Sequence, residues 1–203
     1  FFAKFDAVGN FLWAKKIEST GNYEGGRIIT FGSGGNIYIT GVFQGIADFD
    51  PGIGVLNLTS VGMSDIFFAK YDSNGNFIWA KGIGGSEDDE GRGIVIDTSG
   101  NCYISGFFHG IVDFDAEADT MKITSIGSGD VFIAKYTENG QLLWAKSIGS
   151  LGSDYSNHIS IDGSGNCYIT GYFFGDADFD PDVGNTILTP VGNADIFIAK
   201  YDS

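Results

Sequence analysis

The sequence predicts an all-β chain made of three tandem copies of a unit of about 65 residues, each folding as four antiparallel strands. Three observations carry this prediction. The run Phe1-Phe2-Ala3-Lys4-Phe5 recurs as Phe67-Phe68-Ala69-Lys70-Tyr71, as Phe132-Ile133-Ala134-Lys135-Tyr136 and as Phe197-Ile198-Ala199-Lys200-Tyr201, at spacings of 66, 65 and 65 residues. Trp13, Trp79 and Trp144 keep the same period, as do Asn36, Asn101 and Asn166, each followed two residues later by tyrosine. Glycine makes up 32 of the 203 residues, more than twice the usual ~7%, and aromatic residues are abundant while proline is scarce. That composition belongs to many short strands joined by tight turns.

The middle copy shows the elements in order. Residues 93–97 are the first predicted strand, and Thr98-Ser99-Gly100 turns the chain into a second strand over 101–108. A long connection follows, containing Asp113-Phe114-Asp115 and a short extended piece at 123–125. The third strand covers 131–136, and the turn Thr137-Glu138-Asn139-Gly140 leads to the fourth at 142–146. Ser-Gly and Asn-Gly at the two hairpin tips supply the positive φ that tight turns need. The best helix candidate, 116–121, is only six residues long.

The hydropathy pattern says how these sheets are buried. In Ile196-Phe197-Ile198-Ala199-Lys200-Tyr201 both faces are largely apolar. A strand with one wet face alternates cleanly, so these sheets need cover on both sides. Blades packed face to face around a β-propeller provide it. A stacked β-solenoid is the other candidate, but its repeat is usually shorter. The repeats divide the chain at 1–66, 67–131 and 132–196, with an additional third strand in 197–203. Propellers close with about 4–8 blades. The chain is therefore expected to be a segment of a longer array, or a protomer that completes a ring with a second copy.

With the repeat laid out, the chain resembles the bacterial SBBP β-propeller repeat family. The resemblance rests on Asn36-Ile37-Tyr38-Ile39-Thr40-Gly41, on Asp65-Ile66-Phe67-Phe68-Ala69-Lys70-Tyr71-Asp72, on Asp162-Gly163-Ser164-Gly165-Asn166 through Gly171, and on residues 195–202. It covers essentially the whole chain. It implies a part of a large secreted or cell-surface bacterial protein, commonly without enzymatic activity. The repeat is not uniform: Gly32 stands where Asp97 and Asp162 stand, and Thr137 replaces the aspartate of Asp6, Asp72 and Asp202. A role that tolerates such replacement is turn capping rather than catalysis.

Charge and motifs narrow the function. The net charge of −15 argues against nucleic acid and anionic membrane surfaces, both of which are bound through Lys and Arg. No apolar run is long enough to span a membrane as a helix. An acidic chain suits divalent cations. The loops holding Asp48 and Asp50, Asp113 and Asp115, and Asp176, Asp178, Asp180 and Asp182 are candidate Ca²⁺ ligands, because an Asp-x-Asp spacing in extended chain points both carboxylates one way. The competing reading is a turn in which each Asp caps amides while the central Phe anchors the loop. Glu87-Asp88-Asp89-Glu90 reads as a solvated loop, and the recurrent tryptophans as packing between blades. Cys102 and Cys167 hold equivalent places inside strands and read as buried small hydrophobes, the alternative being a disulfide between neighbouring blades.

Zinc-ligand spacings, phosphate loops and nucleophile elbows are absent from the sequence, which predicts no enzyme. Any specificity is expected at residues that break the repeat: His109, His158, Arg27, Arg92, Glu87, Asp88 and Tyr155. The expected function is a scaffold, adhesion or assembly module at the cell surface, whose partners are itself or further repeats. The alternative is a glycan-binding or glycan-cleaving propeller.

Overall fold

The computed structural model describes residues 1–115, 121–182 and 184–202. Strands β1 (Phe2–Phe5) and β2 (Phe11–Lys15) form an antiparallel hairpin, and β3 (Glu18–Ser19) follows. Strands β4 (Gly25–Phe31) and β5 (Ile37–Phe43) open the first full sheet. The ribbon β6 (Ile46–Asp48) and β7 (Asn57–Thr59) interrupts it, and β8 (Asp65–Tyr71) and β9 (Phe77–Ile83) complete the order β4-β5-β8-β9. The second sheet repeats this plan with β10 (Glu90–Ile96), β11 (Cys102–Phe108), the ribbon β12 (Ile111–Asp113) and β13 (Lys122–Thr124), then β14 (Asp130–Tyr136) and β15 (Leu142–Ile148). A third sheet joins β16 (Tyr155–Ile161), β17 (Cys167–Phe173) and β20 (Asp195–Tyr201), with the ribbon β18 (Ala177–Asp178) and β19 (Ile187–Leu188) between them. The only helical element among the described residues is the 3₁₀ turn Ser33–Gly35, and none is long and apolar enough to cross a membrane.

All-β architecture in four-stranded antiparallel sheets is what the repeat predicts. The structure differs in running the fourth strand on to Ile148 rather than ending it at 146, in pairing 111–113 with 122–124 inside the long connection, and at the first strand. That first strand begins at Glu90 rather than at 93, because Glu90 and Gly91 already pair with Phe107 and Gly106 before the register shifts at Arg92. The helix candidate at 116–121 falls, except for Met121, outside the described residues.

Burial lies between the sheets, as two-faced apolar strands require. One cluster joins Tyr38, Ile66 and Phe68 of the first sheet to Ile94, Cys102 and Tyr136 of the second. Another joins Tyr103, Val131 and Ile133 of the second to Ile159, Cys167 and Ile169 of the third. A third seats Phe2 and Trp13 of the N-terminal hairpin against Ile39, Phe67 and Tyr71. Cys102 and Cys167 thus occupy different inter-sheet cores, and both thiols are free. The tryptophans bridge sheets: Trp79 packs edge-on against Phe68 and donates its indole N–H to the Glu138 carbonyl at 3.2 Å, in the turn of the following sheet. Gly75 shows why that turn takes glycine: its φ is +75°, and a Cβ there would stand 3.0 Å from the Trp13 ring of the preceding hairpin.

Candidate functional site

The recurring aspartates are absorbed by turns. Asp72 accepts the amides of Asn74 and Asn76 at 2.8 and 2.9 Å, and its other oxygen accepts the Asn76 side-chain amide. Asp6, Asp97 and Asp162 do the same in their own hairpins. These bonds to the charged form, with the asparagine side chain foremost, hold the Asp162 carboxyl down at about 2. Where Thr137 replaces aspartate, its hydroxyl takes the Gln141 amide at 3.2 Å. The hairpin needs an acceptor there and not a carboxylate.

The acidic loops also work as turns. Asp48 Oδ1 accepts the amides of Asp50 and Leu56 at 3.0 and 2.8 Å. Asp113 Oδ1 accepts those of Asp115 and Met121, and Asp178 Oδ1 those of Asp180 and Thr186. Phe49, Phe114 and Phe179 are buried, and each carbonyl accepts a tyrosine hydroxyl from the third strand, Tyr71, Tyr136 and Tyr201, at 3.0 Å. Asp50 and Asp180 accept one further amide each, from Gly52 and Asp182. Asp182 is paired with Lys146, and Asp176 is exposed. Asp115 has a partner of its own. No group of three or more His, Cys, Asp or Glu side chains able to hold a metal ion occurs among the described residues.

The cluster read as a solvated loop is half buried. Glu87 and Asp88 are exposed, but Asp89 and Glu90 lie inside. Asp89 accepts the amides of Gly85 and His109 at 2.7 and 2.9 Å, and Asp154 makes the equivalent bonds to Ser150 and Phe174. Asp65 and Asp130, at the start of the third strands, are buried with Oδ1 unpaired. Burial raises all of these carboxyls, Asp89 to about 7 and Asp65 and Asp130 to about 6. Alternation of apolar residues gives no sign of them, since they sit at strand ends.

Symmetry breaks at the first strands. β4, β10 and β16 each carry a bulge at the same place, so that Arg27, Arg92 and Asn157 have no direct partner on the neighbouring strand. A bulge kinks the strand and re-aims the extra side chain. Opposite each bulge stands a glycine, Gly41, Gly106 or Gly171, where a Cβ would fall within 2.0 Å of a first-strand carbonyl oxygen. The chain has two arginines, and both reach the same carboxylate: Arg27 Nε lies 2.7 Å and Arg92 Nε 3.1 Å from Glu90 Oε1. Arg92 Nη1 continues to Asn157 Oδ1 at 3.4 Å. Its guanidinium lies over Phe107 at 4.7 Å and Tyr155 at 5.5 Å. Tyr155 packs on Phe107 at 4.8 Å and on Tyr172 at 5.0 Å. Of these groups Glu90, Arg92, Phe107, Tyr155 and Tyr172 line a recess of about 600 Å³ that three successive sheets build together, with Arg27 and Asn157 beside it on Glu90 and Arg92.

The comparisons with known proteins agree with the repeated all-β fold. Residues 143–172, from the fourth strand of the second sheet to the second strand of the third, match the family model for SBBP, a beta-propeller repeat. Residues 143–172 thus carry an SBBP repeat. It is 28% identical over 217 residues to an uncharacterized WD repeat-containing protein, L264, of Acanthamoeba polyphaga mimivirus, covering 94% of this chain and 16% of that protein. It is 22% identical over 140 residues to the regulatory protein FlaEY of Caulobacter vibrioides, covering 69% of this chain and 14% of that one. The chain therefore spans less than a fifth of the length of the curated relatives it matches.

Within the SBBP repeat, positions that recur build the frame, and positions that do not recur line the recess. Sequence reasoning pointed to Arg27, Arg92, Asp88, His109 and Tyr155 by their departure from the repeat, and the structure brings these to one place. It took Glu90 only as part of an acidic loop, solvated by default, that could contribute to a ligand site, and it missed Phe107, Tyr172 and Asn157. The signal that could have found them is the same, since Glu90 stands against Gly25 and Tyr155, and Phe107 against Val42 and Tyr172. His158 is exposed on β16 and is not part of the recess lining.

Proposed function

We propose that this chain is a non-enzymatic structural module of a secreted or surface-displayed protein, which joins further blades of the same SBBP repeat through the faces of its terminal sheets. The secreted setting is what the family resemblance implies. The assembly reading rests on one observation. Ile196 and Ile198 are 80% and 79% exposed, whereas the residues at the same places in the earlier sheets, Ile66 and Phe68, then Val131 and Ile133, are at most 1% exposed. The opposite face is covered only in part, by the N-terminal hairpin: Ile29 is 47% exposed, while its counterparts Ile94 and Ile159 are at 3% and 2%. The two faces are the two halves of the interface that the chain uses internally, so a further blade fits the front face and the first two strands of a blade fit beside the hairpin on the rear one. On the rear face an apolar recess of about 410 Å³ is lined by Phe2, Ile29, Ile39 and Phe67.

The test is light scattering of the 203-residue chain across concentrations. Self-association is expected, and Ile198→Asp is expected to abolish it without unfolding the chain. A strict monomer at every concentration, or association indifferent to Ile198→Asp, would overturn the reading. Turnover of chromogenic glycosides would overturn its non-enzymatic part.

A further inference from the structure

We infer that the recess at the bulges of β4, β10 and β16 is a binding site for a neutral saccharide. This rests on the ends of the sheets and is independent of assembly through their faces.

The first ground is the break in symmetry. Residues that serve the frame recur: Tyr71, Tyr136 and Tyr201 make the same bond in each sheet. The bulge position recurs but the residues it aims do not: Arg92 lines the recess, while Arg27 holds Glu90 and Asn157 holds Arg92 from beside it. Its anchor Glu90 is buried and carries both arginines of the chain. A frame role would not require the chain's only two guanidiniums to converge on one carboxylate.

The second ground is the chemistry of the lining. Arg92, Glu90 and Asp88 line the recess and Arg27 stands beside it, paired with Glu90, so that these four side chains together carry no formal net charge inside a chain of −15. An anion would meet two carboxylates and an acidic surround, and a cation would meet the Arg92 guanidinium. A ligand rich in hydroxyls meets what it needs, because each hydroxyl both donates and accepts. Carboxylate and guanidinium acceptors and donors alternate here with aromatic rings, and Tyr155 and Tyr172 remain partly exposed. Ring faces receive the C–H side of a sugar as they receive other apolar surface. The third ground is preorganisation: Tyr155 is held between Phe107, Tyr172 and the Arg92 guanidinium, so little side-chain freedom is left to lose on binding. The volume of about 600 Å³ lies within the usual range for small-molecule sites.

The experiment titrates the chain with a panel of neutral mono- and oligosaccharides by calorimetry and tyrosine fluorescence, with uronates and amino sugars as charged controls. Saturable binding of at least one neutral saccharide is expected. Tyr172→Ala should weaken it at least tenfold, Tyr172→Phe less, and Ile198→Asp not at all. Should Tyr172→Ala not fold, the exposed Asp88→Asn carries the test and should also weaken binding. No binding of any neutral saccharide, tighter binding of the charged controls, or affinity unmoved by the recess variants in folded protein would each overturn the inference.

Discussion

The ring of Phe68, on the third strand of the first full sheet, lies 4.6 Å from the ring of Tyr136, on the third strand of the second. Phe2 and Tyr71 repeat the relationship one step earlier at 4.7 Å. Of the later equivalent positions Ile133 is buried and Ile198, the last, is exposed. Removing a buried aromatic costs about 3–5 kcal/mol, while an exposed surface change usually stays within about 0.5 kcal/mol. Phe68→Ala is therefore expected to lower stability by several kcal/mol in urea unfolding, with Ile198→Ala nearly silent in monomeric protein. Equal losses at the two positions would contradict face-to-face burial.

The buried carboxylates predict a pH dependence. Burial holds Asp65 and Asp130 at about 6 and Asp89 at about 7 in the folded chain. In the unfolded chain they titrate near 4. The folded state thus binds more protons than the unfolded one between about pH 4 and 7, and stability falls as pH rises through that window. Asp65 alone accounts for a loss on the order of 2–3 kcal/mol. The turn aspartates do not offset this, because Asp162, held at about 2, is ionised in both states above about pH 5. Melting at pH 5 is expected above that at pH 8, with Asp65→Asn flattening the difference. A melt that rises from pH 5 to 8 would refute it.

Calcium is decided by a third measurement. The leading carboxylate oxygen of each acidic loop already accepts two backbone amides. These bonds account for the loops without an ion. EDTA and added Ca²⁺ are expected to leave the melting temperature unchanged. A rise with Ca²⁺ that is lost in Asp178→Asn, and not in Asp162→Asn, would place a cation in the third loop.

Much of the frame was legible because it repeats. Tyr71, Tyr136 and Tyr201 recur at fixed spacing and make one bond, from hydroxyl to phenylalanine carbonyl. The aspartate-to-threonine change at Thr137 revealed a cap, since only an acceptor was retained. Burial of Asp89 and Glu90 was not legible, because a run of four acids looks solvated until the next sheet covers it. The bulges were equally hidden: one unpaired residue leaves the average alternation of a strand unchanged.

The order of residues by itself determined the period, the four strands of each unit, the turns between them and the need for cover on both faces. All of these follow from local backbone preference and from the apolar pattern, which one chain segment carries alone. Only the tertiary structure decided that Arg27 and Arg92, 65 residues apart, share Glu90, and that Tyr155 closes over Arg92. Those contacts join three sheets, and no local preference specifies how successive sheets align; their packing does.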